Sequence, residues 1–178
     1  MNTTEALQRF EETANHYIQE LDNFSMEQLK RQPGEGEWSL GQMYQHLINS
    51  ALYMQLRNVE QCLQSEDPVA PITEKTKEGT EIFNQGSFPP IRVHVPPSPQ
   101  YTPTQPESKE QLIQGLNTVI DRMKEIMPQL EQAPIRNTVP HPRFGPLNSK
   151  EWFLLIEMHY RHHLLQLERL EKFLECNV

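Results

Sequence analysis

The sequence predicts an all-α chain, a four-helix bundle with a long proline-rich crossover between its second and third helices. Two observations predict the helices. Four stretches repeat apolar residues at spacings of three and four, the pattern of a helix with one buried face. Three of these open on the spacing of a capping box, Ser39 with Gln42, Ser108 with Gln111 and Asn148 with Glu151. A third observation predicts the crossover, because prolines crowd the chain between Asp67 and Glu107 and preclude a long helix there. At 178 residues the chain suits one domain, residues 1–178, with room for a real core.

The first helix is expected from Thr3 or Thr4 to about Leu21, with Leu7, Phe10, Ala14, Tyr17, Ile18 and Leu21 on its apolar face. His16 falls off that stripe and reads as a solvated histidine. Ser25 and Gln28 suggest a short extra turn to Gln32, which Pro33, Gly34 and Gly36 end. The second helix starts at the Ser39 cap, with Trp38 placed to staple it, and runs toward Asp67. Leu40, Met43, Leu47, Ala51 and Met54 form its first buried stripe. Leu52, Leu56, Val59 and Leu63 form a second, rotated toward another neighbour.

Pro68, Pro71, Pro89, Pro90, Pro96, Pro97, Pro99, Pro103 and Pro106 punctuate the connection that follows. Only Ile91 to Val95 alternates like a strand, a short edge piece at most between its prolines. At about 40 residues the connection far exceeds an ordinary helix–helix loop, and a crossover that wraps the bundle and shapes the mouth of a pocket accounts for it. His94, on that connection, reads as a surface residue. The third helix opens at Ser108 and ends at Pro128, with Leu112, Leu116, Val119, Ile120, Met123 and Met127 toward the core. Gln129 to Leu147 reads as a loop, and His141, set between two prolines, as an exposed residue outside any site.

The fourth helix, Asn148 to Glu175, contains no Pro or Gly and spans about 40 Å at ~1.5 Å per residue. Its stripe is Trp152, Leu155, Ile156, His159, His163, Gln166, Leu170 and Phe173. Two histidines therefore interrupt an otherwise buried face one turn apart. Side chains at i and i+4 can aim ring nitrogens at one cation. They can equally hydrogen-bond to water or neighbouring helices, and His162, three residues after His159, competes for the second place. His46, at a middle position of the second helix, supplies a third imidazole from a separate element.

Bundles build metal sites from side chains on facing helices. Three neutral imidazoles and an open position suit Zn²⁺ or Ni²⁺, with Fe²⁺ also accommodated, and the open position marks a catalytic metal. Carboxylate pairs of the Glu-x-x-His kind are absent, against a di-iron centre, as are H-E-x-x-H, a nucleophile elbow and the nucleotide-binding glycine motifs. The formal net charge of -8 and the lack of a basic stripe argue against nucleic acid. No signal pattern or membrane-length apolar run is found, and Cys62 and Cys176 match no disulfide framework, so a reduced cytoplasm fits best.

The segments EWSLGQMYQHLINS, HPRFGPLNSKEWF and MHYRHHLLQLERL resemble the DinB-like (YfiT-type) metal-dependent family. That pattern has Trp-Ser before the second helix, a His within it, and H-x-x-x-H followed by Gln in the last helix. Here these are Trp38, Ser39, His46, His159, His163 and Gln166, and the match spans nearly the whole chain in order. The resemblance implies a four-helix bundle of unusual connectivity, a divalent metal such as nickel or zinc held by His46, His159 and His163, and frequently a homodimer. It selects His163 over His162. Members it resembles include S-transferases that use a low-molecular-weight thiol such as bacillithiol, and hydrolases. The function expected is thiol transfer or hydrolysis at the metal, with Asn49 or Gln166 orienting a ligand or substrate. A non-catalytic, stress-associated bundle binding metal or a small ligand is the alternative, and a plain structural bundle the third.

Overall fold

A computed structural model describes residues 1–64, 74–93 and 98–176 of the chain. They are mostly helical. Helix α1 spans Thr3–Glu20, a 3₁₀ turn follows at Leu21–Asn23, and the short α2 is Met26–Lys30. A single rod then runs from Leu40 to Gln64 as α3 (Leu40–Ser50), a π-helical turn (Ala51–Gln55) and α4 (Leu56–Gln64). Helix α5 is Lys77–Gln85, α6 is Lys109–Ile126 with a 3₁₀ turn at Met127–Gln129, and α7 is Ser149–Glu175. Between α6 and α7 lie strands β1 (Thr138–His141) and β2 (Gly145–Asn148). No helix among the described residues is long and apolar enough to cross a membrane.

Local chemistry sets the helix starts. The side chains of Ser25, Ser39 and Asn148 each accept from the N–H three residues on, and Gln28, Gln42 and Glu151 reach back to the cap N–H. Asn2 caps α1. At α6 the box is altered: Ser108 accepts from the Gln111 N–H, while Gln111 Oε1 takes the N–H of Glu107, one residue before the cap.

Helix α7 packs against α1 and α4 over most of its length and against α3 over a shorter stretch, while α6 packs on α1 and α3. The core between them is rich in aromatic side chains, with Phe10, Tyr17, Tyr44, Trp152, Phe153 and Tyr160 all fully buried. Burying each such side chain is worth roughly 1.5–3 kcal/mol before entropy is counted. The tyrosines also tie three helices together. Tyr17 Oη donates to the carbonyl of Tyr160 at 2.8 Å, and Tyr44 Oη to that of Tyr17 at 2.7 Å.

The expectation of an all-α chain is corrected by the hairpin. Thr138 pairs with Asn148 and His141 with Gly145, and Pro140 faces Pro146. Proline cannot donate to a ladder, but in a two-stranded ribbon both strands are edges, so two prolines are tolerated. His141 is half-buried rather than exposed: it stacks on Phe144 with ring centroids 4.2 Å apart, and its Nδ1 accepts from the N–H of Arg143 at 3.1 Å.

A second correction is the nine-residue α5 within the proline-rich connection. Thr76 caps it, and Gly86 ends it at φ +66, a left-handed conformation that costs glycine little. It docks on the hairpin through Thr76, whose N–H donates to Phe144 O and whose hydroxyl donates to Arg143 O at 2.7 Å. Gly79 permits the approach, since a Cβ there would lie 2.3 Å from the Phe144 carbonyl oxygen. The later part of the connection lies along the start of α3, where Ser39 Oγ donates to Gln105 Oε1 and Gln42 Nε2 to Pro103 O. Ile91, Arg92 and Val93 form no strand. His94, Val95 and the prolines 68, 71, 96 and 97 lie outside the described residues.

The π turn brings a third correction. Met54, expected in the first buried stripe, is 37% exposed, and Gln55 is 2% exposed in its place. A turn closed from the Leu56 N–H to the Ala51 carbonyl holds one extra residue, so the buried face rotates. The second stripe then continues as Leu56, Val59 and Cys62.

Candidate metal centre

Uninterrupted helix formers carry α7 as one continuous helix from its Asn148 cap, and the i, i+4 spacing puts His159 and His163 on one side. The Leu40–Gln64 rod runs antiparallel to it. Cys62 Sγ faces the Leu147 carbonyl near the start of α7, and His46 faces His159 near its middle. The third imidazole is thus delivered from the second element.

The three rings converge through their Nε2 atoms. His159 Nε2 is 3.1 Å from that of His46 and 3.1 Å from that of His163, and all three lie within 4.8 Å of one another. Protons cannot satisfy this arrangement. One ring nitrogen carries either one proton or one lone pair, so His159 Nε2 cannot pair properly with two neighbours at once. The far nitrogens sharpen the conflict. His163 Nδ1 is 2.8 Å from Gln166 Oε1, which can only accept, so the Nδ1 carries the proton and the His163 Nε2 lone pair faces inward. Ser50 Oγ lies 3.4 Å from His46 Nδ1 and can hold that ring in the same sense.

A shared cation would resolve the conflict. A tetrahedral site with metal–nitrogen bonds of ~2.0–2.1 Å has an edge of about 3.3 Å, close to the two contacts observed. The electrostatics fit ligation, which needs neutral rings. Burial, with the neighbouring His163, lowers His46 to about 3. Burial lowers His163 to about 4 against the opposing pull of its bond to Gln166, and drives His159 well below the ordinary histidine value. The three histidines therefore form a group able to hold a metal ion.

Trp38 forms one wall, its ring centroid 5.0 Å from that of His46. Of the residues singled out in the sequence, His46, His159, His163 and Gln166 are brought together. Asn49 accepts from Gln45 Nε2 at 3.0 Å, in a chain of amides that continues to Gln111 on α6. His162 stands beside the cluster, against Phe88 and the ring of His163. His16 is exposed near Glu20. Glu157, close to the histidines in sequence, is buried and held by Arg161 through two bonds of 2.7 and 2.9 Å. Sequence reasoning gave Ser50 no role beside His46, although the i, i+4 spacing carried the signal, and it took Trp38 for a helix staple.

A model described as the DinB superfamily matches residues 9–167, most of the chain. The chain is also similar to the uncharacterized protein YuaE of Bacillus subtilis (strain 168), 25% identical over 156 residues that cover 88% of this chain and 91% of that protein.

Proposed function

The chain belongs to the DinB superfamily, and on that premise we propose that it is a metal-dependent enzyme of thiol S-transferase or hydrolase type. His46, His159 and His163 are its metal ligands, and zinc, nickel or iron the cations that suit them. The observation that carries the reading is the His159 nitrogen shared at 3.1 Å by two other ring nitrogens. When bound, a three-imidazole cation supplies Lewis acidity and an open position, which favour the deprotonated form of a thiol or water delivered there.

The chain's own residues do the rest. Gln166 holds the His163 Nδ1 proton and Ser50 faces His46 Nδ1, which keeps the inner nitrogens free as donors. Trp38 covers the His46 ring and limits water on that side. Gln166, and Asn49 from one turn beyond His46, are the residues to orient a substrate. The substrate is a small molecule, such as a low-molecular-weight thiol of the bacillithiol kind, rather than nucleic acid or a membrane. A single-domain four-helix bundle, made by α1, the Leu40–Gln64 rod, α6 and α7 with the proline-rich segment as crossover, is supported by their mutual packing. A homodimer in the cytoplasm completes the reading.

One observation favours a second reading, a bundle that binds metal or a small ligand without turnover. Glu157, the nearest carboxylate in sequence, is committed to Arg161 and not free to act as a base. Metal analysis of tag-free protein, with His46→Ala and His159→Ala, tests the centre. Stoichiometric metal lost in both folded variants supports it, and metal retained by either removes it. Turnover of monochlorobimane with a panel of cellular thiols then separates the readings. If no thiol reacts above background, the S-transferase is dropped.

A further inference from the structure

Two guanidinium groups share one carboxylate near the histidine cluster. Glu37 Oε1 pairs with Arg92, and Arg169 Nη1 lies 3.6 Å from the same oxygen. The group is locally positive in a chain whose formal net charge is -8. At 3.6 Å the second contact is too long for a good hydrogen bond, so the planar fork of Arg169 has no close acceptor among the described residues. An ordinary surface ion pair needs one cation per anion, and a second guanidinium drawn to the same oxygen repels the first. Burial and the neighbouring Arg92 both disfavour the charge on Arg169, and Glu37 only partly offsets them.

The position of this group ties it to the site. Glu37 directly precedes Trp38, whose ring lies against His46. Arg169 stands three residues beyond Gln166 on α7, and Gln166 holds His163. From His163 to Arg169 is a rise of about 9 Å at ~1.5 Å per residue. Arg92 reaches Glu37 from the segment that follows α5, so three separate parts of the chain meet there.

We propose that Arg92 and Arg169, gathered on Glu37, recognise an oxyanion, carboxylate or phosphate, at the far end of a substrate whose reacting group enters the histidine cluster. A guanidinium fork matches the planar pair of oxygens of a carboxylate or two oxygens of a phosphate. The substrate is therefore a small anionic molecule long enough to place its reacting atom at the histidines and its charge at the guanidinium pair. The inference rests on the metal-centre reading above.

The test uses the full chain loaded with cobalt(II), whose thiolate charge-transfer absorbance reports thiol binding without turnover. Two probe pairs are titrated, glutathione against its diethyl ester and 4′-phosphopantetheine against pantetheine. The charged member of at least one pair should bind about tenfold or more tighter than its neutral partner, the scale of a charge-assisted hydrogen bond. Which pair discriminates distinguishes carboxylate from phosphate. In the double variant Arg92→Gln, Arg169→Gln the preference should shrink to within about twofold, with cobalt affinity and melting temperature unchanged. Arg169→Lys, which keeps the charge and loses the fork, should retain only part of the preference. Equal binding within both pairs, or a preference that survives the double variant, overturns this inference alone. Failure to bind cobalt stoichiometrically removes the metal centre and this inference together, and cobalt bound without a thiolate band removes the thiol reading and the inference with it.

Discussion

Gln166→Leu keeps the size of the side chain and deletes the oxygen that faces His163 Nδ1 at 2.8 Å. Its effect follows from what that bond does. With the acceptor gone, His163 is free to place its proton on Nε2 and to rotate, and both changes withdraw a donor from the centre. Loss of such a supporting bond typically weakens metal binding 10–100-fold, about 1.4–2.7 kcal/mol. Ser50 lies 3.4 Å from His46 Nδ1, a longer and weaker contact, so Ser50→Ala should cost less than about tenfold. Zinc affinity measured by competition with a chromophoric chelator gives both values. A thermal readout supports it. At free metal of 100 times Kd the native protein gains about 2.7 kcal/mol, or ~5–10 °C for a chain of this size, and about half of that or more should vanish in Gln166→Leu. Affinity within twofold of wild type in the folded Gln166→Leu protein, or a larger loss in Ser50→Ala, would refute the argument.

Three further outcomes are expected. Gly79→Ala forces a Cβ to within 2.3 Å of the Phe144 carbonyl, so α5 must lift off the hairpin at a cost of about 1–3 kcal/mol. A lowered urea midpoint and faster amide exchange within Lys77–Gln85 check it, and an unchanged midpoint counts against that docking. Tyr160→Phe removes a buried hydroxyl that has no hydrogen-bond partner among the described residues and should be neutral or stabilising by about 1 kcal/mol, whereas Tyr17→Phe deletes a buried bond and should cost about 1 kcal/mol. Denaturation curves with shifts of the same sign would defeat this contrast. Burial, with Glu20 alongside, raises Glu171 to about 7 from 4.5, so between those values the folded protein holds a proton that the unfolded chain has released. Stability then falls as pH rises through that window, and Glu171→Gln should gain in melting temperature relative to wild type at pH 8 but not at pH 4. A difference independent of pH would sink the assignment.

What could be read from the sequence was what short-range chemistry decides. The caps at Ser25, Ser39 and Asn148 were legible because cap and responder lie three residues apart. Gln111 broke the pattern by accepting from the N–H of Glu107, one residue before the cap. The site was legible in part because His159 and His163 share one helical face. Its third member came from the pairing of two rods, which periodicity alone does not specify; the middle position of His46 on a second long helix suggested it, and the family pattern settled His163 over His162. The hairpin was missed because Pro140 and Pro146 read as breakers, although they face each other on strands with no further neighbour among the described residues. Helix α5 was missed because nine residues between prolines give too few turns to show a stripe, yet Thr76 and Gly86 mark both of its ends. The π turn was invisible, since nothing in Ala51–Gln55 distinguishes it from ordinary helix, and Met54 was misplaced as a result.

Asn148 is both the last residue of β2 and the cap of α7. It therefore works as the zero mark of a ruler. His159 lies eleven residues along, just over three whole turns at about 3.6 residues each, so its ring stands nearly above that mark. Length changes in the hairpin tip leave this alignment intact, because they fall before the zero. A single residue inserted between Asn148 and His159 would swing the imidazole by about 100° and carry His163 with it. Natural variation in length should therefore gather upstream of the ruler and stay out of its first three turns.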